Sequence, residues 1–288
     1  MRKSLFLFGI GLTAALVQTP SFAASSRLPA TGGVMQIEGS AGGGLVPWAV
    51  IAGLGSRNEV GGSAFCTRVE PQDYRLESCG AALGLFDRVE LSYARQDFGI
   101  GDKQPFAATI QQHMFGVKVK VVGDAVYDQD SWLPQIAVGM QHKVNEDYNV
   151  VPKAVGARDD SGNDYYVAAT KVWLSGIAGR TTLLNATLRA TKANQLGILG
   201  FGGDANDSYQ IEPELSVGVF VHDKLVLGTE YRTKPDNLKA IKEDDFKDVY
   251  LAWVPVKFAS ITVAYADLGI IAGKEDQHGL YASFQASF

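Results

Sequence analysis

Apolar and polar side chains alternate with a period of two along almost the whole chain. Near the start, Met35, Ile37, Gly39 and Ala41 interleave with Gln36, Glu38 and Ser40. Further on, Phe115, Val117, Val119 and Val121 are set against Lys118 and Lys120, and Leu184, Ala186, Leu188 and Ala190 against Asn185, Thr187 and Arg189. Ile211, Leu215, Val217 and Val219 oppose Gln210, Glu212, Glu214 and Ser216 in the same way. Such alternation predicts extended strands, and no segment carries a capped amphipathic-helix pattern. Fourteen strands follow, near 34–43, 47–56, 60–70, 74–84, 88–98, 108–122, 132–144, 164–174, 181–192, 208–221, 225–234, 246–256, 259–268 and 278–288. The alternative is twelve, with the Gly-rich opening pair packed elsewhere.

Alternation alone does not separate a soluble sandwich, apolar inside, from a transmembrane barrel, apolar outside. The connections do. Turns such as "SRN", "LFD", "HDK" and "KF" fall at one end, while "GIGDKQPFA", 145–163, 192–207, "KPDNLKAIKEDD" and "GIIAGKEDQ" fall at the other. Short turns at one end and long polar loops at the other are expected of an outer-membrane barrel, whose tilted strands need roughly ten residues to cross. The fold class predicted is all-β, a transmembrane antiparallel up-and-down barrel. Trp132, Tyr165, Tyr166, Trp173, Tyr209, Tyr231, Tyr250, Trp253 and Trp48 lie toward strand ends, where interfacial girdles would sit.

The leader agrees with export. Arg2 and Lys3 precede an apolar run from Leu5 to Val17, and Ser21 and Ala23 form a small-residue cleavage site. Residues 1–23 read as a signal peptide cleaved near Ala23, 24–33 as an N-terminal lead and 34–288 as the barrel. The expected location is the outer membrane of a Gram-negative bacterium, with outer-membrane lipid as the surrounding partner. Without Arg2 and Lys3 the 26 basic residues fall to 24 against 31 acidic ones, a net charge of −7, and no basic surplus marks a nucleic-acid footprint.

Residues 64–81 read as a hairpin folded about Gln72 and Asp73. That register sets Glu70 opposite Arg75, Arg68 opposite Glu77 and Cys66 opposite Cys79. Facing opposite charges stabilise strand pairs, and their shared face is expected inward because the other face would put them in lipid. The two cysteines of an exported chain then form a candidate disulfide inside the barrel. The lumen-lining set expected is Glu38, Arg68, Glu70, Arg75, Glu77, Lys118, Lys120, Lys143, Lys171, Arg189, Glu212, Glu214, Glu230 and Arg232, with Gln135, Gln141 and Asn185 among them. Both signs occur in similar number, which suits either a wet, weakly selective channel or a lumen filled by charge pairs. No hydrolase site is expected: His113 and His142 share parity with apolar neighbours, His222 and His278 sit at strand ends, and no serine is placed beside them. The clusters around Asp124, Asp128 and Asp130, Asp159, Asp160 and Asp164, Asp204 and Asp207, and Glu243, Asp244 and Asp245 read as solvated turns. No cofactor or metal is expected.

"RLPATGGVMQIEGSAGGGLVPWAVIAG", "GAALGLFDRVELSYARQDF", "GDAVYDQDSWLPQIAVG", "ANQLGILGFGGD" and "EYRTKPDNL" together resemble the domain of unknown function 3034 family of Gram-negative outer-membrane proteins. The resemblance implies an exported barrel and supplies no activity. The final strand is similar to the signal read by the outer-membrane barrel assembly machinery, with Leu280, Phe284 and Phe288 in the alternating apolar positions; that machinery is the expected partner. The strand is expected to close the barrel against Met35–Ala41. The function expected is a passive porin-like channel for small solutes or ions. The alternative is a closed structural or interaction barrel whose loops bind a partner, and the third reading an outer-membrane hydrolase.

Overall fold

The computed structural model describes residues 31–100 and 108–288. Residues 1–23, expected to be a signal peptide, residues 24–30 of the expected lead and residues 101–107 of one long loop lie outside the described residues. Twelve antiparallel strands close into a barrel. Numbered along the wall, they are β1 (Val60–Glu70), β2 (Arg75–Leu85), β3 (Val89–Ile100), β4 (Ala108–Val122), β5 (Gln135–Asn145) and β6 (Ser161–Trp173). The second half of the wall is β7 (Thr182–Thr191), β8 (Gln210–His222), β9 (Leu225–Arg232), β10 (Phe246–Val256), β11 (Ala259–Asp267) and β12 (His278–Ser287).

Outside the β1–β2 hairpin the wall strands follow the alternation expected of them. On β8, Ile211, Pro213 and Leu215 are exposed on the outer wall while Glu212, Glu214 and Ser216 are buried in the lumen. Leu91, Phe115, Val117, Leu188 and Leu280 continue the apolar outer belt around the barrel. In lipid every backbone group needs a partner within the protein, which a closed ladder provides. Short connections such as 223–224 and 257–258 mark one end, periplasmic in barrels of this type; 146–160, 192–209, 233–245 and 268–277 mark the external end.

The two opening segments are not wall strands, so the strand count is twelve and the barrel begins at Val60. Residues 31–59 enter from the periplasmic end, rise through the lumen and return. Met35, Gln36, Ile37 and Glu38 are each at most 2% exposed, so both faces of this segment are covered. Its only regular pairing is Val34–Met35 with Ala41–Gly42. Gly42 packs so closely that an added methyl would overlap the Val46 carbonyl oxygen, which selects a residue without a side chain.

Closure also differs from expectation. β12 pairs with β1, Leu280 opposite Glu70 through Ser287 opposite Ser63, and not with Met35–Ala41. Phe288 adds a last stitch: its N–H donates to the Gly62 carbonyl at 2.9 Å, and its own carbonyl accepts from Leu54 and Gly62, each at 2.9 Å. The plug's exit and the final residue are therefore tied at one point.

Candidate functional site: a plugged lumen

The plug is held at mid-height by charge. Glu38 presents its carboxylate to Lys143, to Arg232 Nη1 at 2.6 Å and to Arg189 Nη2 at 3.7 Å. Asp164 accepts from Lys143 at 2.6 Å and from Arg189 at 3.2 Å, while Glu214 accepts from Arg189 Nε at 2.6 Å and Arg232 Nε at 3.3 Å. Three acids face three bases, all buried. Burial alone would push the Glu38 carboxyl up, but Arg232, Lys143 and Arg189 outweigh it and hold it well below the ordinary carboxylate range. The Gln36 amide donates to Glu38 at 2.9 Å, and Gln141 accepts from Arg189 at 2.8 Å. The Arg189 guanidinium also lies 5.3 Å from the Tyr166 ring centre, within cation–π range.

Wall side chains grip the plug's backbone around this layer. Lys118 Nζ donates to the carbonyls of Ala41, Trp48 and Val50 at 2.8, 3.1 and 2.8 Å, and pairs with Glu90 at 3.1 Å. Glu90 in turn accepts from the Ala41 and Ala52 amides at 3.1 and 2.8 Å. Glu230 accepts from Leu45 N–H at 2.7 Å, and Thr187 donates to the Pro47 carbonyl at 2.8 Å. An irregular segment enclosed in a barrel must find such partners or leave its peptides unsatisfied.

A second stopper enters from the external end. Residues 194–199 dip into the mouth, where Asn145 donates to the Gly197 and Ile198 carbonyls at 3.0 and 2.7 Å, and Lys143 to Leu196 at 3.2 Å. Leu196, Ile198 and Leu199 meet Ile37 and Leu45 of the plug and Val69, Leu76 and Phe98 of the wall around one small apolar gap. A larger cavity of about 500 Å³ lies on the other side of the charged layer, toward the periplasmic end. In cross-section the lumen is apolar, charged, then apolar.

Residues 31–285 match a family described as protein of unknown function, DUF3034. The chain belongs to this family. No curated protein matches it. Among solved structures it is similar to the KdgM porin, with 9% identity over 78% of this chain and 99% of that one, TM-score 0.49. It is also similar to outer membrane phospholipase A from Escherichia coli, with 11% identity over 78% and 89% of the two chains, TM-score 0.42. An outer membrane channel from Pseudomonas putida F1 matches at 8% identity over 84% and 97%, TM-score 0.44.

Within this DUF3034 barrel, Lys118, Lys120, Lys143, Arg189, Glu212, Glu214, Glu230 and Arg232 project into the lumen from the wall, and Glu38 reaches it from the plug. Gln135, Gln141 and Asn185 are buried there as well. Arg68, Glu70, Arg75 and Glu77 do not line it. They lie on the outer wall at the external end, paired as Arg68 with Glu70 and Glu77, and Arg75 with Glu77 at 3.5 Å. The reason is what fills that end of the lumen: Val69, Leu76 and Phe98 turn inward around Ile37 and Leu45, so their charged neighbours turn out. The bonded pair Cys66–Cys79 shares this face, so the disulfide is on the outside of the barrel, in the register expected for it. Lys171 shares the outward parity of Val167 and Ala169, and the periplasmic connection covers it, its Nζ donating to Asp128 at 2.5 Å.

Asp164 and Glu90 also belong to the lumen, outside the expected set. Asp164 reads as part of an acidic turn, yet it sits opposite in parity to Tyr165 and Val167, as Glu90 does to Leu91 and Tyr93. Of the aromatics, Trp132, Tyr165, Tyr209, Tyr231 and Trp253 are exposed on the outer surface, while Trp48, Tyr166 and Tyr250 are buried inside. His113 bonds Tyr93 at 2.8 Å and Glu146 at 3.1 Å, and His142 bonds Asn163 at 2.8 Å. Among the described residues, no group of three or more His, Cys, Asp or Glu is arranged to hold a metal ion.

Proposed function

We propose that the protein is an outer-membrane channel for small solutes that is closed at rest by its own residues 31–59, and not a constitutively open pore. The observation that carries this reading is the attachment of Glu38 to Lys143, Arg189 and Arg232. A wall of this many strands encloses more space than its side chains fill, and here one continuous segment fills it. At its tightest layer the contact is ionic and hydrogen-bonded, so water and ions can take the plug's place without exposing a dry core. The wall left behind would carry Lys118, Lys143, Arg189 and Arg232 against Glu90, Asp164, Glu214 and Glu230, mixed in sign and so of low selectivity.

Planar-bilayer recording tests the reading. The native protein is expected to be nearly silent, and Glu38→Gln to raise the frequency of discrete openings. Steady conductance from the native protein would remove the plug from the mechanism. A correctly folded variant lacking residues 24–59 and carrying Leu196→Ser, Ile198→Ser and Leu199→Ser in the external stopper that stays silent would remove the channel. The closed barrel with partner-binding loops is favoured by one observation, the exact balance of three buried acids and three bases, and that silent variant is the result it expects. Assembly remains part of the proposal: deleting Phe288, which bonds both Gly62 and the plug's exit at Leu54, should lower insertion by the assembly machinery, and unchanged insertion would count against that role.

A further inference from the structure

We infer that the periplasmic half of the lumen is a binding site for a small amphipathic carboxylate, a molecule with an apolar body and one anionic head. The cavity of about 500 Å³ has the size of ordinary small-molecule sites. Its walls are Val172, Leu183, Phe220, Val226 and Ala252 from the barrel and Val126 from the β4–β5 connection, with Val34, Trp48 and Leu54 from the plug as its ceiling. Leu183 and Val226 are buried on the lumen face of β7 and β9. A channel vestibule meant for water has no use for such a lining, since wetting apolar surface is unfavourable in proportion to its area.

The mouth differs in kind. Arg180, Lys257, His222 and Asp223 surround it, all on periplasmic connections or strand ends. Asp223 is the acid of this lining and Glu59 lies within Coulombic reach of Lys257, which leaves the Arg180 guanidinium as the main anchor for an anion. The Arg180 guanidinium spends one donor on the Val221 carbonyl at 2.7 Å, and an arginine has five N–H donors in a fork suited to carboxylate. An apolar body inside and a carboxylate at the rim satisfies both surfaces at once. The ligand enters from the periplasmic side of the lumen, separated from bilayer lipid by the wall. Binding needs no plug movement, so the site stands apart from the channel reading.

Decanoate is a suitable probe. Its saturable binding to the full mature protein in nanodiscs of zwitterionic lipid, measured against empty nanodiscs, is expected at one site per barrel. Leu183→Trp and Val226→Trp, which fill the cavity from the wall, should each weaken it at least tenfold. Arg180→Gln with Lys257→Gln lies on surface turns and should weaken decanoate by a similar factor while leaving 1-decanol unchanged, which separates head recognition from loss of fold. Three results would overturn the site: no saturable excess over empty nanodiscs, equal binding by the cavity-filled variants, or binding that appears only when residues 24–30 are removed, which would make the chain itself the occupant. Decanol binding as tightly as decanoate to the native protein would overturn the cationic mouth.

Discussion

Residues 31–59 and the hairpin 60–85 are neighbours in the chain with the same alternating pattern and opposite fates. In the hairpin the pattern separates two environments: Phe65, Thr67 and Val69 are buried while Ala64, Cys66, Arg68 and Glu70 face outward. In the plug it separates nothing, because Met35 and Ile37 on one side and Gln36 and Glu38 on the other are equally buried. Period two therefore marks a regular strand in the hairpin but not in the plug, whose regular strands are only Val34–Met35 and Ala41–Gly42, and the surroundings decide what each face meets. The same lesson holds for charge. Arg232 in the lumen and Arg68 on the outer wall both pair with two carboxylates, but the first pairing is inaccessible to water and the second is half exposed.

The widest separation should come from the buried network. Arg189→Met leaves Glu214, Asp164 and Glu38 without their shared cation, and removing one partner of a buried ion pair costs about 3–5 kcal/mol. Unfolding by urea in a detergent or lipid host measures it. Pairing Arg232→Met with Glu38→Gln should cost less than the two single changes added together, and simple additivity would mean the two groups are not coupled. On the hairpin side, reducing the Cys66–Cys79 bond opens a loop of 13 residues in sequence, an effect of about 2–3 kcal/mol in a chain-entropy account. Gly42→Ala should cost about 1–3 kcal/mol by overpacking and loosen the plug while leaving the barrel intact; protease cleavage within 31–59 reads the difference.

Acidity sharpens the comparison further. Glu38 is held below the ordinary carboxylate range when folded, so its contribution is fully present above the ordinary glutamate value of about 4.3 and is lost as pH falls beneath it. Bilayer openings should accordingly become more frequent as the pH drops from 5 toward 3, and Glu38→Gln should flatten that dependence. The smallest effect belongs to the outer wall: Arg68→Ala should leave the unfolding midpoint unchanged, since exposed pairs contribute little. A large loss there would mean that this outward cluster is covered by something in the membrane.

Much of the wall was legible because a strand that crosses lipid has one apolar face with no alternative. The twelve wall strands fall within a few residues of their expected limits, and β7, β8 and β9 show their lumen residues by parity alone. Parity misplaces the charges of the β1–β2 hairpin, because its inward face packs against the apolar side chains of the plug and the external stopper and not against water. Glu38 is expected in the lumen as part of a wall strand and reaches it from the plug instead. Asp164 was hidden by its neighbours Asp159 and Asp160, which make the stretch look like a turn.

What the sequence by itself determined is local: extended backbone along the wall, turn lengths that sort to two ends, a hairpin register that opposes Cys66 to Cys79, and an apolar belt fit for lipid. These depend on residues close together in the chain. Which segments form the wall, what fills the lumen and which way the hairpin's charges point were decided by tertiary structure. A barrel closes through contacts far apart in sequence, such as β12 with β1, and its interior is whatever those closures enclose. Here they enclose the chain's own opening segment, and that one fact reverses the environment of every residue facing it.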